Sequence, residues 1–265
     1  MAFVLTAEVI MKYTQGKYPI IEKNSLAKGI YSFTIHCPEI AEVAEMGEFV
    51  NVFVKGHTLR RPISICEIDK EKGNIRLVFE IRGEGTKEIA DFTQDSLIDI
   101  MGPLGRGWKL NDYKSAVIIG GGIGTPPMVP LAQYFKKNCT VITGFRSAPQ
   151  VILQEDFKKT GADLRLCTDD GTYGRKGFVT EELVDVIKEK KPDVIYACGP
   201  NVMIKRIVDI AKENNIPCQI SLEERMGCGI GACLVCSCRT VRNGEEYYAH
   251  VCQDGPVFKA EEVIF

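Results

Sequence analysis

Apolar and polar residues alternate with period two through the first hundred residues. Tyr31, Phe33 and Ile35 are interleaved with Ser32 and Thr34, and Ile75, Leu77, Phe79 and Ile81 with Arg76, Glu80 and Arg82. Phe49 to Val54 adds a short apolar run. A period of two with one polar face predicts antiparallel strands, closed as a sheet or barrel. One helix is expected here, over 86–92.

The pattern changes after Gly102-Pro103-Leu104-Gly105. Continuous apolar runs appear at 115–119, 139–142, 164–166 and 194–197, with helical stretches between them. In one of these, Met203, Ile207, Ile210 and Ala211 share a face at i, i+4, i+7 and i+8. Strands that are apolar on both faces and alternate with helices predict a doubly wound parallel sheet. A helix is expected directly after Gly120 to Thr125, with Pro126 in its first turn, where a missing N–H costs nothing. From about Ser221 the chain is loop-rich and cysteine-rich, and too short to bury a core of its own. The expected division is a β-barrel over 1–102, an α/β domain over 103–220 and a small module over 221–265.

Composition narrows the classes. The 265 residues are 45% hydrophobic and 26% charged, with a net charge of −2. No basic run suggests nucleic acid, and no apolar stretch approaches the ~20 residues that span a bilayer. The first residues carry no basic n-region and reach Glu8 early, so a secretory signal is not expected. Eleven cysteines without such a signal point to a reducing compartment, the cytoplasm. Cys37, Cys66, Cys139, Cys167 and Cys218 read as small buried apolar residues.

The chemistry concentrates near the C-terminus. Cys228, Cys233 and Cys236 stand in C-x4-C-x2-C spacing, and Cys252 follows. This is the plant-type spacing of a [2Fe–2S] cluster, whose two irons take four thiolates. Gly229 and Gly231 suit a loop that must turn tightly with φ > 0 and aim N–H groups at sulfur. A structural zinc site is the rival reading, although zinc favours two separated ligand pairs over three thiols in one loop. Cys238 adds a thiol the motif does not require and is read as a bystander.

Gly121, Gly122, Gly124 and Thr125 lie between a strand and a helix, where bare backbone can approach a dinucleotide's pyrophosphate. The run departs from G-x-G-x-x-G, and a plain tight turn would also explain it. Cys198, Gly199 and Pro200 end a later strand of the same sheet, on the edge that lines the crevice of open α/β folds. Arg61-Pro62-Ile63-Ser64 offers a phosphate partner and a hydroxyl, or simply a solvated strand end. Gly85 and Thr86 open the expected helix as a second phosphate contact or as a turn with a Thr N-cap.

The order of these parts resembles the ferredoxin–NADP reductase superfamily. The Cys-Gly-Ile-Gly-Ala-Cys-Leu-Val-Cys run and the final Val-Cys-Gln-Asp-Gly-Pro-Val-Phe narrow the resemblance to the electron-transfer subunits of B-type dihydroorotate dehydrogenases. The resemblance implies FAD contacts at Arg61, Pro62, Ile63 and Ser64, at Val78, Phe79 and Glu80, and at Gly85 and Thr86. It implies a pyridine nucleotide on the glycine loop, Cys198 beside the nicotinamide, and cluster ligands at Cys228, Cys233, Cys236 and Cys252. It further implies an FMN-containing TIM-barrel partner that oxidises dihydroorotate in pyrimidine biosynthesis, in a heterotetramer of two copies of each subunit. Electrons would reach NAD⁺ by way of the cluster and FAD, because flavin alone exchanges both single electrons and hydride. Arg146 could meet a 2′-phosphate, whereas the resemblance argues for NAD. Two other functions stay open: a related subunit serving ferredoxin or sulfide, and a zinc-stapled adaptor without enzymatic activity.

Overall fold

The computed structural model describes residues 13–265. The N-terminal stretch read as lacking a secretory signal lies outside them. Six antiparallel strands, β1 (Thr14–Ala27), β2 (Ile30–His36), β3 (Phe49–Val52), β4 (Arg61–Asp69), β5 (Asn74–Glu80) and β6 (Leu97–Leu104), close a barrel in the order β1-β2-β5-β4-β3-β6. Helix α1 (Pro38–Val43) follows β2, and α2 (Glu84–Asp91) follows β5. The alternating positions Phe33, Ile35, Ile75 and Leu77 fill the barrel interior with Ile20, Val50, Val52, Ile65, Ile98 and Ile100.

Two departures from simple periodicity have physical causes. Val78 is as buried as Phe79, because β5 is covered on both faces: Phe79 belongs to the barrel core, and Val78 to the buried cluster that holds Ile118, Val141 and Tyr196 of the second sheet. Helix α2 begins at Glu84, two residues before the expected start. Thr86 caps it from inside the first turn, its hydroxyl accepting from the N–H groups of Arg82 (2.9 Å) and Gly83 (3.2 Å).

The second sheet has seven strands: β7 (Ala116–Gly121), β8 (Cys139–Phe145), β9 (Asp163–Thr168), β10 (Arg175–Lys176), β11 (Val194–Cys198), β12 (Cys218–Ser221) and β15 (Val257–Lys259). Their order is β10-β9-β8-β7-β11-β12-β15, parallel throughout except for β15. Helices α3 (Val129–Phe135), α4 (Gln154–Thr160), α5 (Val179–Glu189) and α6 (Asn201–Glu213) complete the unit. Successive residues Ile118 and Ile119, Val141 and Ile142, and Tyr196 and Ile195 fall in opposite core layers, which explains their unbroken apolar runs.

The helix expected right after the glycine loop starts late. Gly122–Gly124 and Pro126–Met128 form single 3₁₀ turns, and α3 begins only at Val129. Pro126 and Pro127 lack the N–H groups an α-helix needs beyond its first turn.

The C-terminal segment carries the hairpin β13 (Ser237–Arg242) and β14 (Glu245–His250). It is not left to its cysteines for support. β15 pairs antiparallel with β12, and Cys236, Ala249, Val251, Cys252 and Phe258 enter the core layer that holds Ile195 and Ile220. No helix among the described residues is long and apolar enough to cross a membrane.

Candidate functional site

The glycine loop and the Cys-Gly-Pro turn meet because β7 and β11 are neighbours, with Cys198 in register with Gly120. The approach is close. A Cβ on Gly124 would stand 2.6 Å from the Cys198 carbonyl oxygen and 2.7 Å from the Gly199 Cα, and one on Gly121 would stand 2.6 Å from Met203 Sδ. Gly124 and Thr125 are buried beneath this turn, and the Thr125 hydroxyl has no hydrogen-bond partner. Gly121, Gly122, Gly199 and Pro200 reach the surface of a cleft of about 810 Å³, which Arg146, Asp169, Phe178 and Arg206 also line. That volume lies within the range of small-molecule sites.

A second cleft, of about 260 Å³, lies between barrel and sheet. Pro62, Ile63, Ser64, Val78, Phe79, Glu80 and Thr86 line it from the barrel, with Ile123, Cys198 and Met226 opposite. Glu80, Arg82, Ile123 and Glu223 belong to the walls of both clefts. Arg82 spans that wall, 3.0 Å from Glu80 and 3.5 Å from Glu223. Arg61 and Gly85 stand outside the lining of both clefts, at the start of α2, where a Cβ on Gly85 would collide with the Arg61 guanidinium.

Burial, with the nearby Glu223 carboxylate adding to it, pushes the Cys198 thiol up to about 12, against a hydrogen bond with Ser221 that pulls it down. Cys198 therefore presents a neutral, compact thiol at neutral pH and not a thiolate nucleophile.

The four cysteines of the motif come together in two pairs. The N–H groups of Cys228 and Cys233 each donate to the other's sulfur at 3.3 Å, and Cys252 N–H donates to Cys236 Sγ at 3.4 Å. Ile230 N–H meets Cys228 Sγ at 3.4 Å and Gly231 N–H meets Cys252 Sγ at 3.2 Å. Gly229 and Gly231 both adopt φ +78°, which lets the loop wrap inward. Burial raises the Cys228 thiol, but the N–H groups of Ile230 and Cys233 outweigh it and bring it down to about 7. Cys252, buried and beside Cys236, is pushed up to about 12. Among the described residues, no three His, Cys, Asp or Glu side chains form a group that could hold a single metal ion. Cys238 lies on β13, half-buried against the core.

The cysteine loop also touches the barrel. A Cβ on Gly229 would collide with the Asn51 carboxamide, whose nitrogen and oxygen are both buried without a partner. Asn51, Arg82, Glu223 and Met226 were not among the residues the motifs pointed to. Only a buried polar position within an apolar strand hinted at Asn51, and nothing in the pattern marked the other three. Of the five cysteines read as buried, Cys218 is only half-buried.

Residues 223–264 match the iron–sulfur cluster binding domain of dihydroorotate dehydrogenase B, and residues 118–209 match the oxidoreductase NAD-binding domain. The dihydroorotate dehydrogenase B (NAD(+)) electron transfer subunit of Fusobacterium nucleatum is 40% identical over 92% of this chain and 96% of its own length. The same subunit of a Geobacillus strain is 39% identical over 94% and 98%. Among solved structures, one of an NADH-dependent reduced ferredoxin–NADP oxidoreductase, described for flavin-based electron bifurcation, is 30% identical with a TM-score of 0.83, covering 94% of this chain and 90% of that one. A ferredoxin–NADP⁺ reductase from Plasmodium falciparum shares the fold alone, at 14% identity and a TM-score of 0.61 over 78% of this chain and 94% of that one. The paired cysteines, the joined clefts and these likenesses converge, and the chain belongs to the family of dihydroorotate dehydrogenase B (NAD⁺) electron transfer subunits.

Proposed function

We propose that this subunit holds FAD and a [2Fe–2S] cluster and links a dihydroorotate-oxidising, FMN-containing catalytic subunit to NAD⁺. The observation that carries the reading is the meeting of three candidate sites: two clefts share the wall at Glu80, Arg82, Ile123 and Glu223, and the cysteine loop packs on the barrel beside them. The proposed domain limits remain 1–102, 103–220 and 221–265, with β15 as a strap from the third to the second.

The residues present fit the groups. Two pairs of thiols, 228 with 233 and 236 with 252, suit two irons with two thiolates each, and three of the four crowd one loop, whereas zinc favours separated ligand pairs. The smaller cleft offers Pro62, Ile63, Val78 and Phe79 as apolar walls and Ser64 as a polar edge, the make-up of a ring-binding site. The orphaned Asn51 carboxamide suits a polar contact at the junction of barrel and cysteine loop.

In this reading, Arg61, Gly85 and Thr86 hold the flavin phosphates, and Pro62 to Ser64 with Val78 to Glu80 hold its ring. Gly121, Gly122, Gly199 and Pro200 line the nucleotide cleft, while Gly124 and Thr125 shape the turn beneath. Cys198 is the contact on the nicotinamide side, its small neutral thiol leaving room for stacking. Cys228, Cys233, Cys236 and Cys252 are the cluster ligands, and Cys238 is spare. When bound, flavin supplies the interchange between hydride and single electrons. The chain's own task is to hold the two clefts edge to edge and to keep water out of the contact between them.

Leu234 and Val235 are 72% and 57% exposed on the cysteine loop, an apolar edge suited to a partner's surface. In this reading the complex is cytoplasmic and holds two copies of each subunit. The test is iron, sulfide and flavin analysis of the purified full chain, together with its visible and EPR spectra. Stoichiometric FAD with two irons and two sulfides per chain supports the reading; one zinc and no flavin overturns it.

A further inference from the structure

Arg61 opens β4, and its guanidinium lies across the first turn of α2, where only a glycine leaves room for it. Two acceptors fix it there: the Leu59 carbonyl oxygen receives from Nη1, and His57 Nδ1 stands 2.8 Å from Nη2. Arginine can only donate, so His57 Nδ1 must be the acceptor and the ring proton must sit on Nε2. Nε2 in turn stands 2.8 Å from Glu88 Oε1, one turn along α2 from Gly85. The chain of contacts therefore runs Glu88 to His57 to Arg61, with each donor and acceptor role settled by chemistry.

We propose that His57, oriented by Glu88, is the positioning residue for Arg61. It pins the guanidinium at the N-terminus of α2, where peptide N–H groups and a fixed positive charge converge on a diphosphate. The inference rests on the reading of Arg61 as a flavin-phosphate ligand. The intervening imidazole has a purpose that a direct ion pair would defeat. A Glu88 carboxylate bound straight to Arg61 would neutralise it and compete with phosphate for the same N–H donors. The neutral ring takes one N–H and leaves the charge undiminished. Of the five guanidinium N–H donors, Leu59 and His57 occupy only two, and the others stay free for the ligand. The contact also ties the loop between β3 and β4 to α2, so both walls of the phosphate site are held by one side chain.

The experiment is titration of full-length apoprotein with FAD, followed by flavin fluorescence, for Arg61→Ala, His57→Phe, His57→Gln, Glu88→Ala and Glu88→Gln, with thermal midpoints measured beside them. Gln carries an acceptor and a donor side by side, so His57→Gln restores the relay that His57→Phe breaks. Loss of an ordered, charge-assisted contact weakens FAD binding about 10- to 100-fold in Arg61→Ala and about 10-fold in His57→Phe. His57→Gln and Glu88→Gln stay near the parent, Glu88→Ala falls between, and the thermal midpoints do not follow this order. Parent-like binding in His57→Phe with weak binding in Arg61→Ala overturns the positioning role and leaves the flavin site standing. Parent-like binding in Arg61→Ala overturns the flavin-phosphate reading itself. His57→Gln as weak as His57→Phe overturns the donor–acceptor relay.

Discussion

Replacing Gly124 by Ala tests whether the strand end at Cys198 positions the reacting cofactors. The added Cβ would lie 2.6 Å from the Cys198 carbonyl oxygen and 2.7 Å from the Cys198 carbonyl carbon and the Gly199 Cα. All three are backbone atoms and cannot rotate away. An ordinary carbon–carbon contact of about 3.5 Å requires the two turns to separate by about 0.8 Å. Overpacking of this kind costs about 1–3 kcal/mol of stability. The functional loss is larger, because a misplacement near 1 Å costs about 10²-fold in rate. Anaerobic stopped-flow mixing with NADH, read as flavin bleaching, should slow by about 10- to 100-fold, while FAD and iron contents stay at parent levels. Gly161→Ala is the control. Nothing lies within 4 Å of its Cβ, its φ of +79° adds strain, and it ends α4 outside the lining of both clefts. An unchanged bleaching rate in Gly124→Ala, with the protein folded and flavin-loaded, would refute the argument that the packing of these two turns sets the distance for hydride transfer.

Three further outcomes follow. Cys233→Ser should abolish the cluster's EPR signal while Cys238→Ser retains it; loss in the second variant would reassign the ligands. Gly85→Ala should weaken FAD binding about tenfold, by displacing the Arg61 guanidinium, without lowering the thermal midpoint, because Ala is the better helix former by up to about 1 kcal/mol; an unchanged FAD titration would contradict it. Burial raises the thiols of Cys37, Cys139 and Cys198 to about 12, and Cys66 higher still. Unfolded thiols ionise near 8.5, so the unfolded chain binds fewer protons above that pH. Stability should thus be whole below pH ~8.5 and fall as pH rises toward 12, by up to about 1.4 kcal/mol per pH unit for each thiol. Urea midpoints that stay level from pH 8 to 10.5 would show that these thiols are not buried.

Much of the fold was legible because its causes are local. Phe33, Ile35, Ile75 and Leu77 alternate because one face of the barrel wall is its core. The unbroken runs of β7, β8 and β11 declare a sheet covered on both sides. What failed locally was decided by distant packing or by the details of proline. Val78 broke the alternation of β5 because a second domain covers it, and Pro126 with Pro127 delayed α3. β15, three residues long, gains meaning only from its pairing with β12. The cysteine motif was legible because its spacing is written along the chain, and the structure brings its four thiols together in two pairs. His57, Glu88, Arg82 and Asn51 were not, since their partners lie 4, 31, 141 and 178 positions away in sequence and no periodicity encodes such meetings.

In the proposed relay electrons pass through this chain, and the substrate is oxidised by its partner. The decisive assay follows NAD⁺ reduction with dihydroorotate as the donor, using the purified chain alone, the FMN-containing catalytic subunit alone, and the two co-purified. NADH should form with the complex only, and its formation should be lost when the subunit carries Cys233→Ser. NADH formation by this chain alone, or none from a complex that retains FAD, FMN and cluster, would contradict the relay.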